Sequence, residues 1–519
     1  MQRHRASEEP RARQCAALAW FQARWPHGTG LLRPSCSRTN AATRPSRLAP
    51  RVEPSGCHQH RRATASERGE RPIRWPRRQR DGKAQASALA FVCLIGLLPC
   101  QALGADDQPW QLHAQSTYIF QAKPGFRALY SGPNSLSPRW EDSYSWTITL
   151  FLGARLWSGG AVYFNPEAAQ GVPLSRLTGL AGFTNGEISR TAGPHLRLYR
   201  ARLYAQQVIP LSGATTSIEE GENQLALETT ARRVVFTVGN LALLDIFDEN
   251  RFAHDPRSDF LNWAFMTHAA YDYAADARGY SWGGVAEFYW DDWAVRVGRF
   301  AQPKEPNQLP LDSRIFVHFG DQLEIERQFN WSSRAGALRV LGMRNRARMA
   351  RYADALRLAN ATGSLPDLNL VRSAAREKFG VGLNIEQELS ATVGVFGRGF
   401  WADGETETYA FTEADRSASG GVTISGELWG RALDRAGIAL ARQWLSAPHR
   451  EYLRAGGLGF FLGDGALRYR PETVLELFYA VPIVPQAEVT LDYQAIWNPG
   501  YNADRGPVQV WSTRFRVLL

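Results

Sequence analysis

Cysteine is absent from most of this 519-residue chain. All five cysteines precede residue 105: Cys15, Cys36, Cys57, Cys93 and Cys100. Residues 105–519 therefore cannot form a disulfide, a thiolate metal site or a cysteine nucleophile. A long cysteine-free chain is compatible with an exported protein that needs no covalent cross-links.

Lysine and excess positive charge are also scarce after residue 104. Residues 1–104 hold 19 basic and 6 acidic residues, which leaves 41 basic and 44 acidic residues for 105–519. In that longer part the lysines are Lys123, Lys304 and Lys378, and the other basic side chains are arginines. The net charge of +10 thus belongs to the front of the chain, and a nucleic-acid partner has no electrostatic support.

Long apolar runs are missing after residue 105, which excludes a helical membrane protein. Residues 1–76 are rich in Arg, Pro, Ser and His and have no sustained periodicity. We predict that they are a disordered basic extension. No methionine lies between Met1 and Met266, so we interpret the extension as sequence upstream of a natural start at an alternative codon.

Residues 77–104 have the three parts of a secretory signal peptide. A basic stretch precedes an apolar run from Ala88 to Leu98, and small residues follow before Gly104. We predict cleavage after Gly104 or the next residue, with a mature chain of 105–519. A lipoprotein signal at Cys100 is the alternative, and Pro99 directly before it argues against that reading.

The remaining chain is dominated by alternation of apolar and polar residues. In "SYSWTITLFLG", Trp146, Ile148 and Leu150 share one face while Thr147 and Thr149 share the other. A period of two is the signature of a β-strand. We count 16 to 18 such segments of roughly 8 to 12 residues, close to the length that a membrane-spanning barrel strand needs.

Three local features add to this pattern. The end of the chain alternates to its last position, with Trp511 and Phe515 opposite Ser512 and Arg514. "SWGGVAEFYWDDWAVRVGRF" predicts a hairpin that turns at its two adjacent aspartates. "ARMARYADALRLANATGSLPDL" carries apolar residues at helical spacing from Met349 onward and predicts a short helix in a surface loop.

Two kinds of protein fit the strands and their aromatic residues. Fourteen of the 17 tryptophans lie in the body, many near segment ends, as in the aromatic girdles of an outer-membrane barrel. A secreted β-rich enzyme or lectin that acts on polysaccharide is the alternative. A TonB-dependent transporter is a third idea, but 105–519 is short for a plug and 22 strands.

Several stretches together resemble the carbohydrate-selective porin family of Gram-negative outer membranes. They are "KFGVGLNIEQELSATVGVFGRGFWADGETETYAFTE", "SAPHREYLRAGGLGFFLGDG", "YRPETVLELFYA", "LDYQAIWNPGYNADRGPV" and "LLDIFDENRFAHDPRSDFLNWAF". The last stretch is similar to the family's pore-proximal segment. The resemblance implies an all-β fold, a transmembrane antiparallel barrel of about 16 strands with an inward-folded constriction loop. It also implies passive diffusion of sugars such as glucose.

Alternation and the resemblance together nominate residues of the channel wall. The predicted lumen-facing or substrate-contacting residues are Glu386, Glu388, Arg296, Arg398, Asp492, Arg514 and Arg516. "TGLAGFTNGEISR" resembles the loop that narrows the pore in these porins, with an external loop tip as the alternative. The candidate constriction residues are Phe183, Asn185, Glu187, Arg190 and Trp401.

No motif in the sequence indicates catalysis or a bound cofactor. The acidic segment 245–259 gathers oxygen ligands, but it lacks the spacing and turn glycine of a calcium hand, and Arg251 and Arg257 are present to pair with it. We predict a channel without catalytic residues, metal or cofactor, working as a monomer or a homotrimer. Its expected partners are sugars, outer-membrane lipid, lipopolysaccharide and the barrel assembly machinery, although Leu519 departs from the usual aromatic last residue.

Overall fold

The computed structural model describes residues 109–188, 193–411 and 413–519. The predictions for residues 1–104 and for Arg190 lie outside this described part. Sixteen strands make up its framework: β1 (Trp110–Lys123), β2 (Glu141–Trp157), β3 (Gly160–Val172), β4 (Gly193–Ile218), β5 (Leu227–Leu241), β6 (Ser281–Trp290), β7 (Trp293–Ala301), β8 (Phe319–Trp331), β9 (Arg334–Arg348), β10 (Ala375–Glu388), β11 (Val393–Ala402), β12 (Arg416–Ser425), β13 (Arg435–Trp444), β14 (Glu472–Val484), β15 (Ala487–Trp497) and β16 (Val508–Leu518).

Among the described residues, helical structure is confined to the connections between strands. The α-helices are α1 (Trp263–Met266), α2 (Tyr352–Thr362) and α3 (Ala447–Arg454). Short 3₁₀ turns cover Leu174–Leu177, Leu243–Asp245, Leu368–Leu370, Gly426–Trp429 and Pro499–Tyr501. Within the described ranges, none of these helices has the length and apolar character that a membrane crossing requires.

The strands form one closed antiparallel barrel. Each strand pairs with its neighbours in sequence, and β1 closes the ring by pairing with β16. The closing register runs from Gln115 opposite Leu518 to Ala122 opposite Trp511. The 16 strands fall within the predicted number, and the barrel fold is confirmed. Several strands exceed the predicted 12 residues, up to 26 in β4, because they continue beyond the span that alternation marks.

Alternation separates an outward apolar face from an inward face, as predicted. On β10, Phe379 and Val381 are exposed while Asn384 and Glu386 are buried. On β16, Phe515 is exposed while Arg514 is fully buried. A sheet curved into a barrel places alternate side chains inside and outside, so each strand carries two chemically different faces. The predicted hairpin also forms. Only residues 291–292 separate β6 from β7.

Connections of very different length leave the two ends of the barrel. At one end, here called the turn end, the connections are 158–159, 219–226, 291–292, 332–333, 389–392, 426–434 and 485–486. At the other, the loop end, they are 124–140, 173–192, 242–280, 302–318, 349–374, 403–415, 445–471 and 498–507. Strand β1 begins at the turn end, and strand β16 ends there.

Exposed tryptophans form a ring near each end of the barrel. The turn-end tryptophan ring includes Trp157, Trp290, Trp293 and Trp331. The loop-end tryptophan ring includes Trp282, Trp401, Trp497 and Trp511. Amphipathic indole rings favour the boundary between hydrocarbon and water, so the two rings mark the edges of an apolar band around the barrel.

The barrel interior contains folded loop segments as well as polar side chains. Residues 242–280 enter the barrel, and Trp263, Phe265 and Tyr271 of this segment are almost completely buried. Trp263 packs against Phe411 at 4.7 Å between ring centroids. The polar strand faces predicted a hydrated lumen. Part of the barrel interior is instead an apolar core, because the loops place their own aromatic residues inside the barrel.

The predicted loop helix forms, but it begins later than expected. Helix α2 starts at Tyr352, and Met349 lies before it in a buried position. The Tyr352 ring stacks on His449 of α3 at 4.3 Å, and also contacts Tyr452. The helix is thus packed against a second loop helix, which fixes its buried face.

Candidate functional site

A continuous network of opposite charges lines the inner wall of β6 to β10. Arg296 contacts Glu287 at 3.2 Å, Glu324 at 2.9 Å and Glu326 at 2.9 Å. Arg339 contacts Glu326 at 2.8 Å and Glu386 at 3.2 Å. We call these residues, together with Arg251 and Glu388, the charge ladder.

Strand register explains why the ladder forms. Glu287, Arg296 and Glu324 lie directly opposite one another on β6, β7 and β8. Glu326 likewise lies opposite Arg339 on β9. Opposite charges at directly paired positions attract across an antiparallel sheet, and in the barrel interior they also satisfy each other's hydrogen-bonding groups.

The ladder is open at one end. Arg251, from the inner segment 242–280, contacts Glu386 at 3.3 Å and Glu388 at 2.7 Å. The Arg251 side chain is 45% exposed and that of Glu388 is 33% exposed, whereas Glu386 is nearly covered. A solute in the barrel water can therefore reach the Arg251–Glu388 pair.

A second accessible pair lies near the turn end, as Glu388, the last residue of β10, also does. Arg516 on β16 contacts Glu222 at 3.1 Å. Glu222 belongs to the β4–β5 turn, whose Gly221 carbonyl accepts a hydrogen bond from the Gln111 amide at 2.9 Å. Gln111 is buried on the inward face of β1, so this turn folds across the mouth of the barrel towards β1 and β16.

Buried ion pairs hold the inner segment against the barrel wall. The Asp248 carboxylate accepts hydrogen bonds from Thr267 at 2.7 Å, Asn384 at 2.6 Å and Arg398 at 3.1 Å. Burial by itself would raise the pKa of the Asp248 carboxyl, but the Arg398 guanidinium and the neighbouring donors lower it to about 2. Burial lowers the pKa of His268, on the same segment, to about 4.

Three predicted lumen residues face the interior but do not line open water. Arg398 donates to Asp248 and to the Phe265 carbonyl at 2.8 Å. Arg514 donates to the carbonyls of Pro256 and Asp259 at 2.9 and 2.7 Å. These two side chains are covered by the inner segment and fasten it, which corrects the prediction that they line the channel.

The same correction applies to Asp492. Its carboxylate accepts hydrogen bonds from Gln494 at 3.2 Å and Ser512 at 3.1 Å, and the residue is buried. Gln494 in turn donates to the Thr184 carbonyl at 2.8 Å. Asp492 therefore supports a loop that lies inside the barrel. Arg296 and Glu386 are also buried, within the charge ladder, while Glu388 and Arg516 remain accessible.

The segment nominated as a constriction lies inside the barrel and is not an external loop tip. Asn185 donates to Ser145 at 2.9 Å, and Glu187 accepts a hydrogen bond from Thr147 at 3.1 Å. Glu187 also pairs with Arg257 at 3.1 Å. Because Ser145 and Thr147 are inward residues of β2, the segment rests on the inner wall and reduces the open cross-section.

Two of the predicted constriction residues are aromatic, and they lie on opposite sides of the barrel wall. Phe183 is buried among other aromatic rings, with Trp263 at 5.5 Å and Phe461 at 5.0 Å. Trp401 is 45% exposed on the outward face of β11, so the prediction that it narrows the channel is wrong. Strand alternation explains the error, because a residue three positions from the inward Arg398 must point outward.

Arginines of the barrel wall pair with acidic residues of segment 245–259, whereas the segment's own Arg251 and Arg257 form ion pairs with glutamates outside it. Asp245 pairs with Arg202 at 2.5 Å, and Asp259 pairs with Arg435 at 3.3 Å. Arg257 pairs with Glu167 on β3 at 3.1 Å. In the part of the chain that the structure describes, no group of three or more His, Cys, Asp or Glu residues is placed to hold a metal ion.

Several ladder residues were missed by the sequence reasoning: Glu287, Glu324, Glu326 and Arg339. A signal for them exists, because Glu324 and Glu326 alternate with Leu323 and Ile325 in "DQLEIERQF". Arg339 likewise stands between apolar residues in "GALRVLG". A strand with inward glutamates can lie next to a strand with an inward arginine. The register of the two strands then decides whether the opposite charges are paired and form an ion-pair network.

One solved structure of a known protein agrees with this architecture. The structure of Pseudomonas putida OprB at high pH matches with a TM-score of 0.59 and 15% identity, covering 79% of this chain and 94% of that one. The outer membrane channel DcaP of Acinetobacter baumannii matches with a TM-score of 0.45 and 9% identity, covering 80% of this chain and 100% of that one. A search of curated proteins gave no match.

The apolar outer band, the tryptophan rings and the charged interior define the class of the protein as an outer-membrane β-barrel channel. The sequence model of the carbohydrate-selective porins, the OprB family, matches residues 143–518. The chain belongs to this family. The loop end is accordingly the extracellular end and the turn end the periplasmic one, because outer-membrane barrels have short periplasmic turns and longer extracellular loops.

Proposed function

We propose that the channel lets small neutral sugars, monosaccharides such as glucose, diffuse passively across the outer membrane. The single observation that carries this proposal is the accessible Arg251–Glu388 pair at the open end of the charge ladder. Its carboxylate oxygens accept hydrogen bonds from sugar hydroxyls, and its guanidinium donates to them. Family membership supports the same substrate class.

The composition of the ladder favours neutral polyols over ions. Its three arginines and five glutamates are interleaved at contact distance, so no long stretch of the wall carries one sign of charge. A wall of one sign would select for counter-ions. The accessible donor and acceptor of the Arg251–Glu388 pair instead offer a sugar replacements for its water partners, with binding weak enough for release.

Arg516 and Glu222 supply a second group of contacts on the path to the periplasm. Their side chains are 18% and 32% exposed at the turn end of the barrel. Glu388 ends β10 at the same end, so a sugar that leaves the barrel there would pass both pairs. The proposed sugar-contacting residues are therefore Arg251, Glu388, Glu222 and Arg516.

The route to the membrane is part of the same proposal. Residues 77–104 would act as a cleaved signal peptide, and 105–519 would be inserted by the barrel assembly machinery as a monomer or a homotrimer. The intact mass of protein purified from outer membranes tests the cleavage. A mature chain that begins at residue 105 or 106 supports it, and retention of residues 77–104 rejects it.

Channel recordings test the sugar proposal directly. Protein purified from outer membranes is inserted into a planar bilayer, and single-channel current is recorded while glucose is titrated. We expect stable conductance steps that glucose blocks in a saturable way. Steps that are indifferent to glucose would reject the sugar site, and folded protein that gives no steps would reject the channel.

Two variants connect that result to the site. Glu388→Gln removes the charge of an accessible ladder residue, and we expect glucose block to weaken roughly threefold to tenfold, as for the loss of one charge-assisted hydrogen bond. Glu405→Gln is the matched control, because Glu405 lies in an extracellular loop and is 65% exposed. Equal weakening in both variants would contradict the assignment.

A further inference from the structure

The outer wall of the barrel carries an apolar groove of about 910 Å³. One row of directly paired outward residues runs along it: Ala286, Val297, Leu323, Gly342, Val381 and Trp401. Glycine and alanine at two of these positions remove side-chain bulk between larger neighbours. A depression therefore forms on a surface that faces hydrocarbon.

A cluster of outward charges borders the groove on its extracellular side. Arg299 contacts Asp321 at 2.7 Å, and Arg344 and Arg346 contact Glu377 at 2.8 and 3.3 Å. Arg299, Asp321 and Arg344 are directly paired positions on β7, β8 and β9. Three guanidinium groups face two carboxylates, so the cluster has one excess positive charge.

The cluster lies at the level of lipid headgroups. It is near the loop ends of β7 to β10, and the exposed tryptophans Trp282 and Trp401 of the loop-end ring flank it on β6 and β11. Arg299 and Arg344 both lie over the Phe319 ring, at 4.1 and 5.4 Å. This stacking holds two guanidinium groups on the outer surface, beside the water boundary of the outer leaflet.

We propose that this surface binds a phosphorylated glycolipid of the outer leaflet, that is, lipopolysaccharide. One acyl chain occupies the groove, and a phosphate contacts Arg299, Arg344 and Arg346. Guanidinium groups are suited to phosphate because they donate paired hydrogen bonds in a plane. The excess positive charge complements the anionic headgroup, and the groove row lies two positions further from the loop end on β7, β8 and β9, in the hydrocarbon band.

The charge cluster argues against a second copy of the chain as the occupant. The core of a protein–protein interface is depleted of charged residues, with arginine the exception, and here Asp321 and Glu377 would also have to be desolvated. A lipid headgroup at the water boundary leaves these carboxylates partly hydrated. The small side chains at Ala286 and Gly342 also leave room in the groove for a flexible acyl chain.

Native mass spectrometry of the purified channel in detergent, with lipopolysaccharide titrated in, tests the proposal. We expect Arg344→Gln combined with Arg346→Gln to weaken lipopolysaccharide binding roughly tenfold through loss of charge-assisted phosphate contacts. Arg327→Gln is the control, because Arg327 also faces outward on β8 but near the turn end, beside Trp293. Unchanged binding in the double variant would overturn the proposal.

A second variant tests the groove without touching the charges. A Cβ at Gly342 would meet only the Leu323 carbonyl, at 3.9 Å, so Gly342→Leu fills the groove without an inward clash. We expect the same tenfold loss of lipopolysaccharide binding, with gel migration and glucose block unchanged. A dephosphorylated glycolipid that binds as tightly, or dimers of the native channel that Gly342→Leu dissociates, would overturn the lipopolysaccharide assignment while leaving the channel proposal intact.

Discussion

Asp248 is the residue on which the attachment of the inner segment depends. It is fully buried, and it connects the segment to β10 through Asn384 and to β11 through Arg398. A buried carboxylate is tolerated only while its charge is compensated by partners of good geometry. The attachment is therefore sensitive to the loss of any one partner.

Replacing Arg398 with methionine tests this dependence. Arg398→Met leaves the Asp248 carboxylate buried without its cation, and we expect it to lower the free energy of unfolding by about 3–5 kcal/mol. Urea unfolding in lipid vesicles, followed by tryptophan fluorescence, measures the change. Arg357→Met is the control, because the Arg357 side chain is 79% exposed and its ion pair is local. Equal stability of the two variants would contradict the buried role.

His268 gives the folded channel a pH dependence with a definite sign. Burial lowers its pKa to about 4 from an ordinary value of 6.5. Between these values the unfolded chain binds a proton at this histidine that the folded chain does not, so the contribution of His268 to stability falls as the pH decreases from 6.5 to 4. The contribution is complete above pH 6.5, and its loss is on the order of 3 kcal/mol.

His268→Gln should remove that part of the pH dependence. We expect its thermal unfolding midpoint to fall less between pH 7 and pH 4 than that of the native chain, as read from heat-modifiable gel migration. His195→Gln, at an exposed position on β4, should behave like the native chain. The prediction fails if His268→Gln and the native chain show parallel pH profiles.

At the scale of elements, the β4–β5 turn is a periplasmic connection that folds across the mouth of the channel. Residues 219–226 contact inward side chains of β1 and β16, through Gln111, His113 and Arg516. The turn therefore occupies part of the periplasmic mouth. Ile218 and Leu227 are directly paired, so a two-residue turn can replace the segment without disturbing either strand.

An Asn-Gly replacement of 219–226 should widen the mouth. We expect single-channel conductance to increase on the order of twofold, because current follows the narrowest water-filled cross-section. The matched control replaces 426–434, whose flanking residues Ser425 and Arg435 are also paired and whose Trp429 contacts the outward Tyr479. A comparable increase in both variants, or in neither, would contradict the position of the turn.

At the scale of the whole molecule, closure by β16 keeps every strand edge paired. The backbone of Ala114 exchanges two hydrogen bonds with that of Leu519, at 2.9 and 2.8 Å, so pairing extends to the last residue. In hydrocarbon an unpaired edge leaves backbone groups without partners, which is why membrane barrels are closed. The final strand is therefore required for the fold as a whole.

Deleting residues 508–519 should prevent assembly of the barrel. We expect the truncated chain to lose heat-modifiable migration and protease resistance completely, because β1 and β15 then have open edges. Leu519→Phe keeps the closing pairs and should migrate like the native chain. A protease-resistant folded form of the truncated chain would show that closure by β16 is dispensable.

Strand count, faces and closure could be predicted because a period of two is a local property. The alternation of Phe379, Val381 and Leu383 with Asn384 and Glu386 identifies both faces of β10 from the sequence alone. The same parity, applied from Arg398, would have placed Trp401 outside. The error at Trp401 therefore came from ignoring parity and not from any missing information.

The covering of inward residues could not be predicted, because it depends on contacts between distant parts of the chain. Arg514 was expected in open water, yet it is covered by residues 256–259, more than 250 positions earlier. Arg398 is covered by Asp248 in the same way, from 150 positions earlier. Alternation reports only whether a side chain points inward, and says nothing about which loop lies over it.

The sequence by itself determined the membrane barrel, its two faces, its closing strand and its family, because these follow from periodicity, aromatic placement and extended stretches of resemblance. Only the tertiary structure decided which charges remain accessible. Register brings Glu287, Arg296 and Glu324 into one row, and the inner segment leaves Arg251 and Glu388 open while covering Arg398 and Arg514. Solvent access is a property of the assembled barrel, since each wall residue is exposed or covered by segments that the chain brings from far away.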